Sequence, residues 1–579
     1  MSTFSPFEAP YATDDAEIAQ MLMSEPELTA QHERGIDREA LLLIAAIREN
    51  RRVIGGLEDV LHEYSLSTKE GLALMTLAEA LLRIPDADTA DRFIEDRLGS
   101  GDFAMHFASH GAASETPLVN ASSWALAVAA RIVRPGETLE GTLAKMTKQL
   151  GLPAIRIAAR QAMRVMGNHF VMGQTIEAAL DAALPVTDMS RRFSFDMLGE
   201  GARTQRDADR YFRSYDSAID AIGRRAGPHA LPDRPGISVK LSALHPRYEA
   251  IGRARLMNEL VPRVLQLAQH ARNYDLNFTI DAEEADRLAL SLDIVGEVMR
   301  SDALAGWGGF GLAVQAYQKR ALAVIDHVVG LAASLDRPMM VRLVKGAYWD
   351  SELKRAQERG LDGYPVFVQK SMTDMNYIAC ARKLLASRPL IYPQFATHNA
   401  LTVATVIELA ADTSGFEFQR LYGMGDALYA DLGRRHPAIA CRTYAPIGGH
   451  RDLLAYLVRR LLENGANSSF VAQVGDRTIP AETLLTRPRA MISRPEFAAT
   501  GDIPLPRHLF ADRPNSSGVE FGDRHALEKL LGEVTAAAAP RRAAPIVGGA
   551  VMQGTTRVVY NPATGEAIGE VSDASFEVA

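Results

Sequence analysis

Cysteine is almost missing from this 579-residue sequence: Cys380 and Cys441 are the only two, and they stand far apart. That excludes a disulfide framework and a cysteine-rich zinc site, and a reducing cytoplasm fits best. Positive charge is not in excess either. The formal net charge is −8 and the pI is near 6.0, so no global basic surface is present to meet a phosphate backbone, and no nucleic acid is expected as a partner. No apolar run reaches the roughly 20 residues of a membrane span; the most apolar stretches, 40–47 and 124–133, are far shorter. Residues 1–20 are acidic and lack a basic start followed by an apolar run, so no signal peptide is read there. The expected location is cytoplasmic, with any membrane contact peripheral and at the inner face. No GxGxxG fingerprint follows a strand and no Walker loop occurs, which disfavours Rossmann and P-loop nucleotide sites. The nucleophile elbow G-x-S-x-G is absent as well.

What is present is 47% hydrophobic and 23% charged, the profile of a soluble globular protein with more than one core. Apolar residues recur at helical spacing over 28–84, as in Leu41, Leu42, Ile44 and Ile47, and again over 85–189. From Phe193 the pattern changes to short apolar, β-branched and aromatic runs separated by helical stretches, which predicts parallel strands with crossover helices. The runs are 193–198, 237–241, 277–281, 310–317, 339–346, 391–397, 416–422 and 441–446, about the number that closes a (β/α)8 barrel. A helix over 452–464 follows the last strand. Residues 484–518 and 536–545 read as connecting segments rather than packed elements, and 546–579 holds β-prone runs around the turn-like Asn561-Pro562. The division expected is an arm and helical domain (1–85), a helical segment (86–190), an α/β domain built as a distorted TIM-type barrel (191–475), a linker (476–545) and a short tail (546–579).

Such a barrel carries its site at the C-terminal ends of its strands. Those ends offer Glu200, Lys240, Asp281, Gln315, Arg342 with Lys345, His398 with Asn399, Gln419, and Tyr444, and the final helix adds Tyr456, Arg459, Arg460 and Glu463. Each alone reads as a solvated or ion-paired residue, but their convergence on one rim reads as a site. Cations dominate the set: Lys240, Arg342, Lys345, Arg459 and Arg460 against Glu200, Asp281 and Glu463. An anionic ligand is therefore implied. Arg459 and Arg460 stand about 100° apart on a helical wheel, and an arginine fork suits a carboxylate. Glu463 is placed to orient either arginine. Arg342 and Lys345 would meet a second anion such as a cofactor pyrophosphate. A metal-dependent hydrolase is the competing reading; it needs several convergent ligands, and only His398 is well placed.

Six runs in order, KLSALHPRY at 240–248, IDAEEADRL at 280–288, QAYQKR at 315–320, RLVKGAYWD at 342–350, FATHN at 395–399 and YLVRRLLENGA at 456–466, closely resemble the proline dehydrogenase domain of the proline utilization A family. The resemblance covers roughly 4–474. It implies noncovalent FAD, oxidation of L-proline to Δ1-pyrroline-5-carboxylate, and a membrane quinone that reoxidises the flavin. It also implies that Arg459 and Arg460, with Lys240, hold the proline carboxylate, that Glu200 and Glu463 orient the arginines, and that Asp281 lines the pocket with Tyr444, Tyr456 and Leu421 on the proline ring. Gln315, Arg342, Lys345, Gly346, Ala347, Tyr348, Trp349, Thr397, His398, Asn399 and Gln419 match flavin-contacting positions. A proline-binding regulator without turnover is the alternative from another class.

Two departures from the family pattern carry expectations. The acidic residues 1–20 replace the basic, strand-forming DNA-binding module with which some members begin, so autoregulation is not expected. YNPATGEAIG at 560–569 resembles the opening of the aldehyde dehydrogenase module that follows in this family. That module needs a catalytic cysteine and a Rossmann-type region, and neither is here. The expectation is a truncated chain, unable to oxidise glutamate semialdehyde with NAD, from a longer bifunctional protein through which any oligomer would form.

Overall fold

The computed structural model describes residues 5–50, 170–183, 191–449, 456, 470–498, 503–537 and 541–578. Its centre is a closed barrel of eight strands: β1 (Arg191–Met197), β2 (Gly236–Val239), β3 (Asn277–Ile280), β4 (Phe310–Gln315), β5 (Met339–Val344), β6 (Ile391–Ala396), β7 (Glu417–Leu421) and β8 (Ala440–Ile447). All neighbours are parallel, and β1 closes on β8 with Arg191 opposite Cys441 and Met197 opposite Ile447. Each expected strand is found, shifted by one or two residues at its ends, because the chain leaves the sheet where the strand-end loops begin.

Alternation along the strands separates two environments. Outward residues such as Phe195, Ile237, Val239, Phe278, Val341, Leu343, Phe395 and Phe418 join one continuous apolar core with the surrounding helices. The helix Gln205–Arg225 illustrates why those helices form: a capping box joins Thr204 to Asp207, and Tyr215, Ala218, Ile219 and Ile222 fall on one buried face. Inward residues are different. Ser194, Asp196, Ser238, Lys240, Asp281, Arg342, Gln394, Glu417, Gln419 and Arg442 are all buried in the lumen, where most barrels of this kind stack branched apolar side chains. Charges buried there are tolerated only when paired and hydrogen-bonded.

Among the described residues three helices precede the barrel: α1 (Asp15–Met23), α2 (Ala30–Asn50) and Ile176–Ala183. In α2 the buried face is made by Ile36, Ala40, Leu43 and Ile44, so of the residues read from the sequence Ile44 is buried while Leu42 is exposed, and Glu39 Oε2 accepts from Arg435 at 2.6 Å, tying α2 to the helix Asp426–Arg435. The helical tracts expected over 51–84 and 85–189 lie outside the described residues except for 170–183, which contains the helix Ile176–Ala183. The helix expected over 452–464 is likewise outside them apart from Tyr456, which is helical.

The reading of 484–518 as an unpacked connection is corrected. Leu484 and Ile492 are buried, and Arg487 pairs with Glu33 at 2.6 Å and Asp37 at 2.8 Å. Farther on, a Cβ at Gly518 would fall 2.2 Å from the carbonyl oxygen of Arg359. The Pro, Arg and Ser content suggested a solvated linker, but Arg487 is used in ion pairs and Gly518 in a close backbone contact instead. In the tail, β9 (Arg541–Ala543), β12 (Thr555–Tyr560) and β13 (Ala567–Asp573) make a small sheet, and β10 (Ile546–Val547) pairs with β11 (Ala550–Val551). The hairpin β12–β13 turns at Asn561, as its Asn-Pro sequence suggested.

One buried carboxyl couples this packing to pH. Glu352, in the first turn of the helix Trp349–Glu358, accepts the Ala285 N–H at 2.7 Å, and burial pushes its carboxyl up to about 7. A folded-state value above the unfolded one means that the native state holds the proton more tightly, so this contribution falls as pH rises from the ordinary glutamate range through about 7. Glu352→Gln keeps the acceptor and removes the charge. It should raise stability at pH 8 by about 2 to 3 kcal/mol relative to the parent, with the difference fading by about pH 4.5. Urea unfolding across that range checks this, and an unchanged pH dependence would refute it.

Candidate active site

A cavity of about 470 Å³ opens at the C-terminal ends of the strands. Every described member of the expected set lines it: Glu200, Lys240, Asp281, Gln315, Arg342, Lys345, Gly346, Ala347, Tyr348, Trp349, Thr397, His398, Asn399, Gln419, Leu421, Tyr444 and Tyr456. Arg459, Arg460 and Glu463 lie outside the described residues.

The cavity floor is built around Asp281, which follows β3. Its Oδ2 accepts from Lys240 Nζ at 2.9 Å and from the Tyr444 hydroxyl at 2.8 Å, while its Oδ1 accepts from Arg342 at 2.7 Å. Lys240 also donates to Asp196 Oδ1 at 3.0 Å. Burial alone would raise the Asp281 carboxyl, but Lys240 and Arg342 outweigh it and hold the group below the usual carboxylate range. In Asp196 burial wins over Lys240, and the carboxyl is raised. The Lys240 ammonium is raised as well, because the two carboxylates overcome its burial. Tyr444 stays a phenol donor: burial first, then the charges of Asp196 and Asp281, push it well above its ordinary value.

These pairings correct the expected excess of cations on the rim. Lys240 sits between Asp196 and Asp281, Arg342 is held by Asp281, and Lys345 pairs with Asp374. Arg342 also donates to Gln419 at 2.8 Å and Ser238 at 2.8 Å, so its guanidinium is directed into the lumen rather than held ready for a pyrophosphate. Asp196 is the residue that sequence reading missed. Glu200 was taken for its strand, yet alternation from Ser194 puts Asp196 on the lumen side, where an acid amid FSFDM was the available signal.

The walls come from strand-end loops. Gly346 has φ of +141°, and a Cβ there would stand 2.4 Å from the Tyr317 ring, so only glycine lets the chain after β5 turn this close. Trp349 is fixed by its Nε1–H donating to the Phe367 carbonyl at 2.9 Å. Across the cavity Asn399 caps the helix Ala400–Ala410, its Oδ1 accepting from Leu401 N at 2.9 Å and Thr402 N at 3.2 Å. His398 Nε2 accepts the Leu421 N–H at 3.1 Å, which places that ring's own N–H on Nδ1. Gln315 donates to the Glu283 carbonyl at 2.8 Å. Among the described residues no group of three or more His, Cys, Asp or Glu side chains is arranged to hold a metal ion.

The family model described as "Proline dehydrogenase" matches residues 179–473, half of the chain, and spans the barrel and its cavity. The chain belongs to the proline dehydrogenase family.

A second model, described as the "DNA-binding domain of Proline dehydrogenase", matches residues 56–170 of this proline dehydrogenase chain, nearly all outside the described residues. It stands against the expectation of no nucleic-acid partner, which rested on overall charge; residues 56–170 themselves hold more acidic than basic side chains. Among curated relatives, the bifunctional protein PutA of Salmonella typhimurium is 43% identical over 578 residues, with 96% of this chain and 43% of that protein covered. Proline dehydrogenase 1 of Bacillus subtilis is 28% identical over 321 residues, 55% of this chain and 92% of that one. A crystal structure of a mutant of Bradyrhizobium japonicum proline utilization A superposes with TM-score 0.74 at 63% identity, covering 92% of this chain and 53% of that chain. The chain thus spans less than half the length of the curated PutA relatives it matches.

The floor of this proline dehydrogenase barrel sets a stability test. Asp281→Ala would leave Lys240 with Asp196 alone and buried Arg342 with no carboxylate, at a cost of about 3 to 5 kcal/mol. Denaturant unfolding should show that loss, and a change under about 1 kcal/mol would mean that Asp281 is not the electrostatic centre of the floor.

Proposed function

We propose that the cavity holds FAD and that the chain oxidises L-proline to Δ1-pyrroline-5-carboxylate, with the electrons passed to a membrane quinone. The observation that carries this reading is the convergence of every described expected residue on one cavity within the span of the family match. The residues fit a flavin in kind as well as in place. The cavity is of ligand size, its floor carries the polar groups of Gln315, Arg342 and Gln419, and Tyr348 and Trp349 form an aromatic side. Gly346 keeps the loop after β5 clear of side-chain bulk. The residues that would hold the group are the set from Gln315 to Gln419 named above.

When bound, FAD supplies the hydride acceptor, a capacity no side chain has. The chain's own work is positioning. Loss of a hydride from the ring carbon beside nitrogen and of the proton on that nitrogen leaves the C=N bond, and neither step needs a protein nucleophile. Arg459 and Arg460 bind the proline carboxylate, and Glu200 and Glu463 orient them. Tyr444, Tyr456 and Leu421 pack on the proline ring and exclude water. Lys240 is already shared by two carboxylates, so its part in carboxylate binding is that of an N–H donor fixed in place rather than of a spare positive charge. Arg342 is likewise fixed, and its charge favours negative charge developing above the floor. Delivery of electrons to a membrane quinone calls for contact at the membrane surface; among the described residues no helix is long and apolar enough to cross a membrane.

The purified chain supplied with FAD should show flavin absorption bands that bleach on adding L-proline without oxygen. A protein that stays colourless, or bands that persist with proline, would remove the reading. Arg460→Ala should raise KM for proline by about tenfold, because it leaves the carboxylate partly unpaired. Steady-state kinetics measure this, and an unchanged KM would remove the carboxylate assignment.

A further inference from the structure

Beneath the cavity the lumen holds a second charged cluster that the mechanism does not use. Glu417, at the start of β7, is fully buried and is not among the residues that line the cavity described above. Its Oε1 accepts from Arg442 Nε at 2.6 Å and Gln394 Nε2 at 2.7 Å, and its Oε2 accepts from Arg192 at 2.8 Å. Burial alone would raise its carboxyl, but Arg442 and Arg192 outweigh it, and the group is held below the ordinary glutamate range as a carboxylate. A carboxylate can only accept. Gln419, two residues on and on the same face of the strand, donates its Nε2–H to that Oε1 at 3.2 Å. The amide nitrogen of Gln419 is thus committed downward, and its Oε1 must point to the other side, where it accepts from Arg342 Nε at 2.8 Å.

We propose that Glu417 is a positioning residue for the cavity: it fixes the amide orientation of Gln419 and, through it, the placement of Arg342 on the floor. The inference rests on the flavin reading of that cavity. With the amide reversed, its NH2 would face the Arg342 N–H, two donors with no acceptor between them, and the guanidinium would have to move. A buried network of this kind has two discrete arrangements, and Glu417 selects one from outside the cavity wall.

The test uses Glu417→Asp in the full chain loaded with FAD. Asp keeps the charge between Arg192 and Arg442 but draws the carboxylate back by about one methylene, away from Gln419. The expected results are a shift in the visible absorption bands of the bound flavin and a kcat lowered by about tenfold with KM for proline changed less than about twofold, the signature of misplacement rather than lost binding. In a Gln419→Leu background the same substitution should change kcat by less than about twofold, because the relay is already cut. A folded Glu417→Asp protein with parental spectrum and kcat would overturn the proposal, as would a full effect persisting in the Gln419→Leu background. Should Glu417→Asp fail to fold, Gln394→Leu removes a neighbouring donor from the same oxygen, and a parental spectrum there with a shifted one in Gln419→Leu would be the supporting result. Parental protein that binds no flavin overturns the flavin reading and this proposal together, whereas parental protein that bleaches with proline while Glu417→Asp behaves identically overturns this one alone.

Discussion

The Asp281 carboxylate is where the electrostatics of the barrel close. An ammonium, a guanidinium and a phenol from three other strands converge on its two oxygens, and the burial of the two cations is offset chiefly by this shared carboxylate. Everything polar in the lumen follows in sequence: Asp196 neutralises what Asp281 cannot, Arg342 reaches Gln419, and Gln419 reaches Glu417. The lumen is therefore a hydrogen-bonded column, and the cohesive apolar core lies outside it, between strands and helices. That separation lets the top of the barrel carry ligand-facing groups while the helices supply the stability.

Much of the fold was legible because two periodicities differ so clearly along the chain. Strands such as 310–315 and 339–344 are short apolar runs bounded by glycine or proline, and the helices between them repeat at 3.6. Much of the cavity lining was legible for a simpler reason: in such a barrel the strand ends form the rim and carried the odd polar residues, while Gly346, Tyr348, Trp349 and Leu421 came from the family resemblance. Charge balance was not legible. Which cations are spare depends on lumen neighbours from other strands, as with Asp196 beside Lys240, and one sequence does not show cross-barrel distances. Segment 484–518 failed for the opposite reason, because composition that usually signals solvated chain here signals close backbone contact at Gly518 and ion pairs at Arg487.

The periphery bears on the cavity through a few specific contacts. Helix Trp349–Glu358 begins at the cavity wall, and its Glu352 holds the loop after β3, from which Arg320 also takes the Ala285 carbonyl at 2.6 Å. Tyr11 of the N-terminal arm stacks its ring under Arg320, 4.5 Å from ring centre to guanidinium carbon. Arm, strand-end loops and the wall helix thus form one packed layer rather than independent decorations.

The close approach at Gly518 has a bearing on where the molecule could be shortened. The family match stops at residue 473, which invites a cut just past the barrel. Yet the chain returns afterwards to lay Gly518 on the Arg359 carbonyl, Glu520 on the Arg359 side chain and Arg524 on Asp293 at 2.8 Å. A protein ending at the edge of the family match would expose the back of the helix that frames the cavity and strand Asp293 with one arginine, Arg253. The contacts that cover this side of the barrel thus extend about fifty residues past the end of the family match.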